Sequence, residues 1–225
     1  MDQLFPNIFR DGRRLFVPSP LQGDKSFTEN IRKQDGQEFR EWDPTRSKAA
    51  AAIVKGIKNF PVKPGCKILY LGASFGATPS FFSDIIGPEG VIYAVEISDR
   101  CVRDLNMVAQ KRPNIVPILA NAKTPQEYSW AEQVDVVYED VASNDQLEIL
   151  LRNCDSFLKP GGFAMIAIKA RSIDVTREPK EIYAEELAKV SGKLKILEKV
   201  ELDPMEKDHM FIVMEKPRNC RETNI

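Results

Sequence analysis

Histidine is nearly missing from this sequence: His209 is the one copy in a chain of 225 residues, alongside four cysteines. Cys66, Cys101, Cys154 and Cys220 lie far apart, and no CxxC pair occurs. Such sparse ligands argue against a zinc cluster, and scattered cysteines argue against a disulfide framework. A reduced, intracellular protein without a bound metal is expected. Long apolar runs are missing as well. No segment approaches the about 20 residues of a membrane span. The opening MDQLFPNIFRDGRR holds no apolar core of a signal peptide. The expected location is cytoplasmic, with no membrane partner. The formal net charge of -1 withholds the overall signature of a polyanion binder. Repeats and low-complexity tracts are absent. So is any stand-alone RNA-binding module, since neither an aromatic-rich strand signature nor a long basic helix occurs.

The charge that is present is uneven. Residues 1–67 carry 13 Lys/Arg and 8 Asp/Glu, net +5, which leaves -6 for the rest. A basic front end on an acidic body is a weak pointer to an anionic partner. With 43% hydrophobic residues, the chain can build one well-cored domain plus a small appendage. The division expected is a small β-rich region over residues 1–46 and a main domain over 47–225. In the front region LFVPSP and QEFREW are short candidate strands. TRSKAAAAIVKGI then predicts a helix, with Thr45 or Ser47 able to cap it and four alanines favouring it.

From Lys67 onward, apolar runs alternate with helical patterns. KILYL, VIYAVEI, PNIVPIL, VDVVYED and GGFAMIAIKA predict buried parallel strands; ATPSFFSDII, DRCVRDLNMVAQKR, NDQLEILLRNCDSFLK and PKEIYAEELAKVSG predict the helices between them. LKILEKVEL and HMFIVMEK are separated only by DPMEKD, so they pair antiparallel. The expected class is therefore α/β: a mostly parallel seven-stranded sheet with an antiparallel last strand, plus the N-terminal β-rich appendage. This pattern resembles the Rossmann-like fold of S-adenosylmethionine-dependent methyltransferases.

In such sheets a ligand binds beyond the carboxyl ends of the strands. The first strand of the main domain runs into LGASFGAT, where Gly72 and Gly76 allow a tight turn and a close approach to a ligand. The following helix start favours a negatively polarised group, such as a methionine carboxylate. The nicotinamide pattern G-x-G-x-x-G is not met, because Ser74 and Ala77 stand at its second and third glycine positions. Glu96 ends the next strand and can accept hydrogen bonds from both ribose hydroxyls of an adenosine. Asn121 follows the third strand, and Asp140 ends the fourth.

Several phrases carry a family resemblance: WDPTRSKAAAAI, ILYLGASFGAT, VIYAVEIS, NIVPILANA, VDVVYEDVA, GGFAMIAIKARSIDVT, EPKEIYAEE and ELDPMEKDHMFIV. From about Glu38 to Lys216 the chain resembles the archaeal fibrillarin-like RNA 2′-O-methyltransferases. The resemblance implies a catalytic group of Lys48, Asp140, Lys169 and His209, with Lys169 orienting or deprotonating the ribose hydroxyl. It implies S-adenosyl-L-methionine as cofactor. The cofactor would be held at Gly72, Gly76, Ala77 and Thr78, at Glu96 and Ile97, at Asn121 and Ala122, and at Asp140, Val141, Ala142 and Ser143. It also implies partners: a Nop-type scaffold protein, a kink-turn-binding protein, a box C/D guide RNA and an rRNA substrate, with tRNA as a second substrate class. Lys48, Arg13, Arg14 and Arg171 are the expected RNA contacts. Phe75, Ala77, Asn121 and Ser143 replace the family's small residue, threonine, aspartate and glutamine. At ~1 kcal/mol per lost hydrogen bond, two losses would weaken cofactor binding roughly tenfold to a hundredfold. Two alternatives stand beside this reading: a methyltransferase for protein or small molecules, and a non-catalytic scaffold subunit with weakened cofactor binding.

Overall fold

The computed structural model describes residues 1–27 and 30–218; Cys220 lies outside them. The front region is a five-stranded antiparallel sheet, β1 (Asp2–Phe5), β2 (Ile8–Asp11), β3 (Arg14–Pro18), β4 (Ile31–Gln34) and β5 (Gln37–Trp42), in the order β1-β2-β3-β5-β4. Two of its strands were expected. The other three are four-residue strands joined by tight turns. In one of these turns Gln34 pairs with Gln37 around Asp35 and Gly36, both with positive φ. Asp-Gly is a strong two-residue hairpin signal, and it was legible in the sequence.

This sheet is welded to the main body. Trp42 is fully buried and stacks on Phe81 at 5.4 Å. Arg40, with no exposed surface, is ion-paired to Asp84, and Asp84 also takes Arg112 at 3.0 Å. Arg112 in turn reaches Asp24 at 2.9 Å. Buried charges are tolerated only when paired in this way.

The seven-stranded sheet comprises β6 (Lys67–Leu71), β7 (Val91–Glu96), β8 (Ile115–Leu119), β9 (Val134–Glu139), β10 (Leu158–Lys169), β11 (Lys195–Glu201) and β12 (His209–Glu215). Its order is β11-β12-β10-β9-β6-β7-β8, with β12 antiparallel to both neighbours and the other described pairings parallel. The last strand is thus inserted beside β10, as a short β11–β12 link permits. Helices α1 (Lys48–Val54), α2 (Ala77–Ile86) and α3 (Asp99–Lys111) cover one face; α4 (Gln146–Phe157) and α6 (Pro179–Lys189) cover the other. Ala49 to Ala52 have no exposed surface, so the alanines serve close packing of α1 on the sheet as well as helix propensity. A short helix not expected from the sequence, α5 (Ala170–Ile173), follows β10 directly. No helix among the described residues is long and apolar enough to cross a membrane.

Candidate active site

The strand order reverses between β9 and β6, and the loops leaving them separate there to form a crevice. A pocket of about 350 Å³ opens at this point, at the carboxyl ends of β6, β7, β8 and β9. That volume lies within the range of small-molecule sites. Nine of the expected cofactor residues line it: Gly72, Glu96, Ile97, Asn121, Ala122, Asp140, Val141, Ala142 and Ser143. Gly76, Ala77 and Thr78 do not; Gly76 caps α2, and the Thr78 hydroxyl donates to Ser47 Oγ at 3.1 Å. Ser74 and Lys123 line the pocket without having been expected. A larger cavity, about 600 Å³, lies at the opposite, amino-terminal end of the central strands, among Pro61, Pro64, Lys159 and Gly161. It holds none of the expected site residues.

The glycines have an intramolecular reason beyond ligand approach. Gly72 has φ +80°, and a Cβ there would lie 2.8 Å from the Asp140 carbonyl oxygen. Gly76 has φ +88°, and its Cβ would lie 2.9 Å from Leu105 of α3. Ser74 between them is also left-handed, at φ 49°. The turn points the Ser74 N–H at Glu96 Oε2, 2.8 Å away, while Glu96 Oε1 accepts the Ser98 N–H at 2.8 Å. Each carboxylate oxygen keeps a second lone pair, so Glu96 is fixed in place and still able to accept two ribose hydroxyls. Asn121 Oδ1 accepts the Lys123 N–H at 3.0 Å. That fixes the amide orientation and leaves its NH2 as a donor toward an adenine ring. Of the four residues that depart from the family, Asn121 and Ser143 face the pocket, whereas Phe75 and Ala77 do not line it. The Phe75 side chain is 42% exposed. The pocket therefore fits a nucleoside.

Asp140 links this pocket to a second cluster. Lys48, the first residue of α1, places Nζ 3.0 Å from Asp140 Oδ1 and 3.1 Å from Oδ2. Burial raises the Asp140 carboxyl above the usual carboxylate range, against the pull of the Lys48 ammonium. Lys169 ends β10 and pairs with His209, which begins β12. Ala170 N–H bonds the Asp208 carbonyl, and the His209 carbonyl takes the Leu202 N–H on the far side. The Lys169–His209 pair is therefore of the non-hydrogen-bonded kind, in which side chains approach most closely. Period-2 alternation puts Asp140, Lys169 and His209 on the sheet face that carries α1. Lys169 is half-buried and makes no ion pair among the described residues. His209 is buried, its Nδ1 lies 2.7 Å from the Lys207 carbonyl, and its Nε2 has no partner. Burial, reinforced by the Lys48 charge, lowers its pKa, so the ring is neutral with Nδ1 as the donor.

The expected RNA contacts are dispersed. Arg13 and Arg14 lie at the β2–β3 hairpin, and Arg14 is 3.5 Å from Glu41. Arg171 binds Asp208 at 3.0 Å and the carbonyls of Val175 and Arg177, so it ties the loop after β10 to the one before β12.

A family model described as Fibrillarin matches residues 2–218. The fibrillarin-like rRNA/tRNA 2′-O-methyltransferase of Methanocaldococcus jannaschii is 48% identical over 218 residues, 94% of either chain. Among solved structures, Aeropyrum pernix fibrillarin in complex with natively bound S-adenosyl-L-methionine superposes with a TM-score of 0.83. It is 46% identical over 89% of this chain and 88% of its own. A fibrillarin from a fibrillarin/Nop5p complex has a TM-score of 0.85 and 39% identity, covering 94% and 98%.

Proposed function

The chain belongs to the fibrillarin family, and on that premise we propose that it transfers a methyl group from S-adenosyl-L-methionine to the ribose 2′-hydroxyl of ribosomal RNA, with transfer RNA as a second substrate class. The observation that carries this reading is the shared wall. Asp140 lines the nucleoside-sized pocket and also bonds Lys48 in the cluster with Lys169 and His209.

When bound, the cofactor supplies a sulfonium methyl, an electrophile whose leaving group is a neutral thioether. Glu96 holds the ribose of the cofactor, and Asn121 meets its base. Lys169 stands at the sheet rim with no carboxylate partner among the described residues, which suits it to hold the incoming 2′-oxygen in line and, as the free amine, to take up the proton that oxygen releases. Asp140 is the group next to both the cofactor and Lys48, and so sets the charge beside the transferring methyl. His209, neutral and held by Lys207, is paired across the strands with Lys169 and adds no positive charge beside it.

The sequence offers no stand-alone RNA-binding module, so choice of nucleotide falls to partners. We assign these as a Nop-type scaffold protein, a kink-turn-binding protein and a box C/D guide RNA, acting in the cytoplasm. The fibrillarin/Nop5p structure supports the first of them. The test is transfer of labelled methyl to a guide-matched RNA by the assembled complex. Label on a target ribose, and none when that ribose is 2′-deoxy, is expected. Equal labelling of the deoxy RNA would contradict the reading.

A further inference from the structure

Strand β9 leaves the sheet before β10 does. Its last partner on β10 is Ile166, opposite Glu139, three positions short of Lys169. Because Lys169 and His209 form a non-hydrogen-bonded pair, the Lys169 N–H and C=O point toward the side β9 has vacated. Buried backbone groups left without partners there would be costly.

The side chain of Gln146, the first residue of α4, fills the gap. Its Oε1 accepts the Lys169 N–H at 3.0 Å, and its Nε2 donates to the Lys169 carbonyl at 3.2 Å. The second hydrogen on Nε2 goes to the Ser143 carbonyl at 3.1 Å, on the wall of the cofactor pocket. Gln146 has no exposed surface. A primary amide is the one side chain that offers an acceptor and two donors in a single plane, and here all three are used. We propose that Gln146 is a positioning residue: it replaces the missing strand, sets the backbone from which the Lys169 side chain departs, and ties that backbone to the cofactor pocket through Ser143. The role rests on the methyltransferase reading.

Gln146→Met, close in shape and unable to form these bonds, tests it in the assembled RNA-guided complex. At saturating cofactor and RNA, kcat falls tenfold or more, while the cofactor Kd and the RNA KM stay within threefold. Exchange of the Lys169 amide hydrogen with solvent speeds up tenfold or more. On a Lys169→Met background the same substitution lowers the residual rate by less than twofold, because Gln146 acts through Lys169. A single variant with kcat within twofold of the parent overturns the proposal. So does an undiminished further loss on the Lys169→Met background, which is what a purely structural cap would give. If Gln146→Met does not fold, Gln146→Glu decides. A carboxylate keeps the acceptor and loses both donors, so a tenfold fall in kcat supports the role and a rate within twofold overturns it. An inactive parent complex instead overturns the methyltransferase reading, and the role of Gln146 with it.

Discussion

Gly72 and Asp140 meet backbone to backbone: a Cβ on Gly72 would sit 2.8 Å from the Asp140 carbonyl oxygen and 3.1 Å from the Val141 side chain. The loop after β6 is thereby pressed onto the residue that joins the cofactor pocket to the lysine cluster. Gly72→Ala must tolerate both a left-handed φ and this contact. The strain alone is on the order of 1–3 kcal/mol. Urea unfolding should show at least that loss, with cofactor binding weakened tenfold or more by calorimetry. Gly12→Ala, at φ +61° with open space around it, is the control: it should lose stability and leave cofactor binding unchanged.

Glu96 is the second test of the pocket. Hydrogen bonds to a charged acceptor are each worth about 1.5–3 kcal/mol. Losing both ribose bonds in Glu96→Ala should therefore raise the cofactor Kd about a hundredfold or more. Glu96→Gln, which keeps one accepting oxygen, should fall between the two. Calorimetric titration with S-adenosyl-L-methionine reads both, and a Glu96→Ala protein that binds like the parent would remove Glu96 from the site.

How much of this was legible in the sequence varied with burial. KILYL and VIYAVEI are continuous apolar runs because β6 and β7 are covered on both faces, and their limits lay within a residue of those expected. The strands β1, β2 and β4 are four residues long and only partly buried, so neither length nor alternation marks them, and β4 is signalled only by the Asp35-Gly36 turn after it. The strand-end residues Glu96, Asn121 and Asp140 were legible, since a polar residue after an apolar run marks a strand's mouth. Gln146 was not. Its task exists only because β9 ends early beside β10, and that is a fact of register between distant segments. The reason for Gly72 was half legible: the turn showed in the sequence, but the contact with Asp140 did not.

His209 makes the pH dependence simple to read, since it is the one histidine. Its folded pKa is lowered, chiefly by burial, below the ordinary histidine value of about 6.5. The folded state therefore binds fewer protons than the unfolded chain near that pH. The stability this contributes is present above about 6.5 and is lost as the pH falls toward the folded value. Buried Glu139, its carboxyl pushed well up by burial, works in the opposite sense, so the histidine is read from a comparison. The denaturation midpoint of the parent minus that of His209→Gln should decline as the pH falls below about 6.5. Identical slopes would place His209 in contact with water rather than in the cluster.

The role proposed for the half-buried amine of Lys169 is to act on the ribose hydroxyl beside the cofactor pocket. Single-turnover methyl transfer by Lys169→Met, in the assembled complex with cofactor and RNA both saturating, tests it most directly. General acid–base assistance is worth about 10²–10⁴ in rate. A fall of at least about a hundredfold is expected, with the cofactor Kd within threefold of the parent. A rate within threefold of the parent would contradict it.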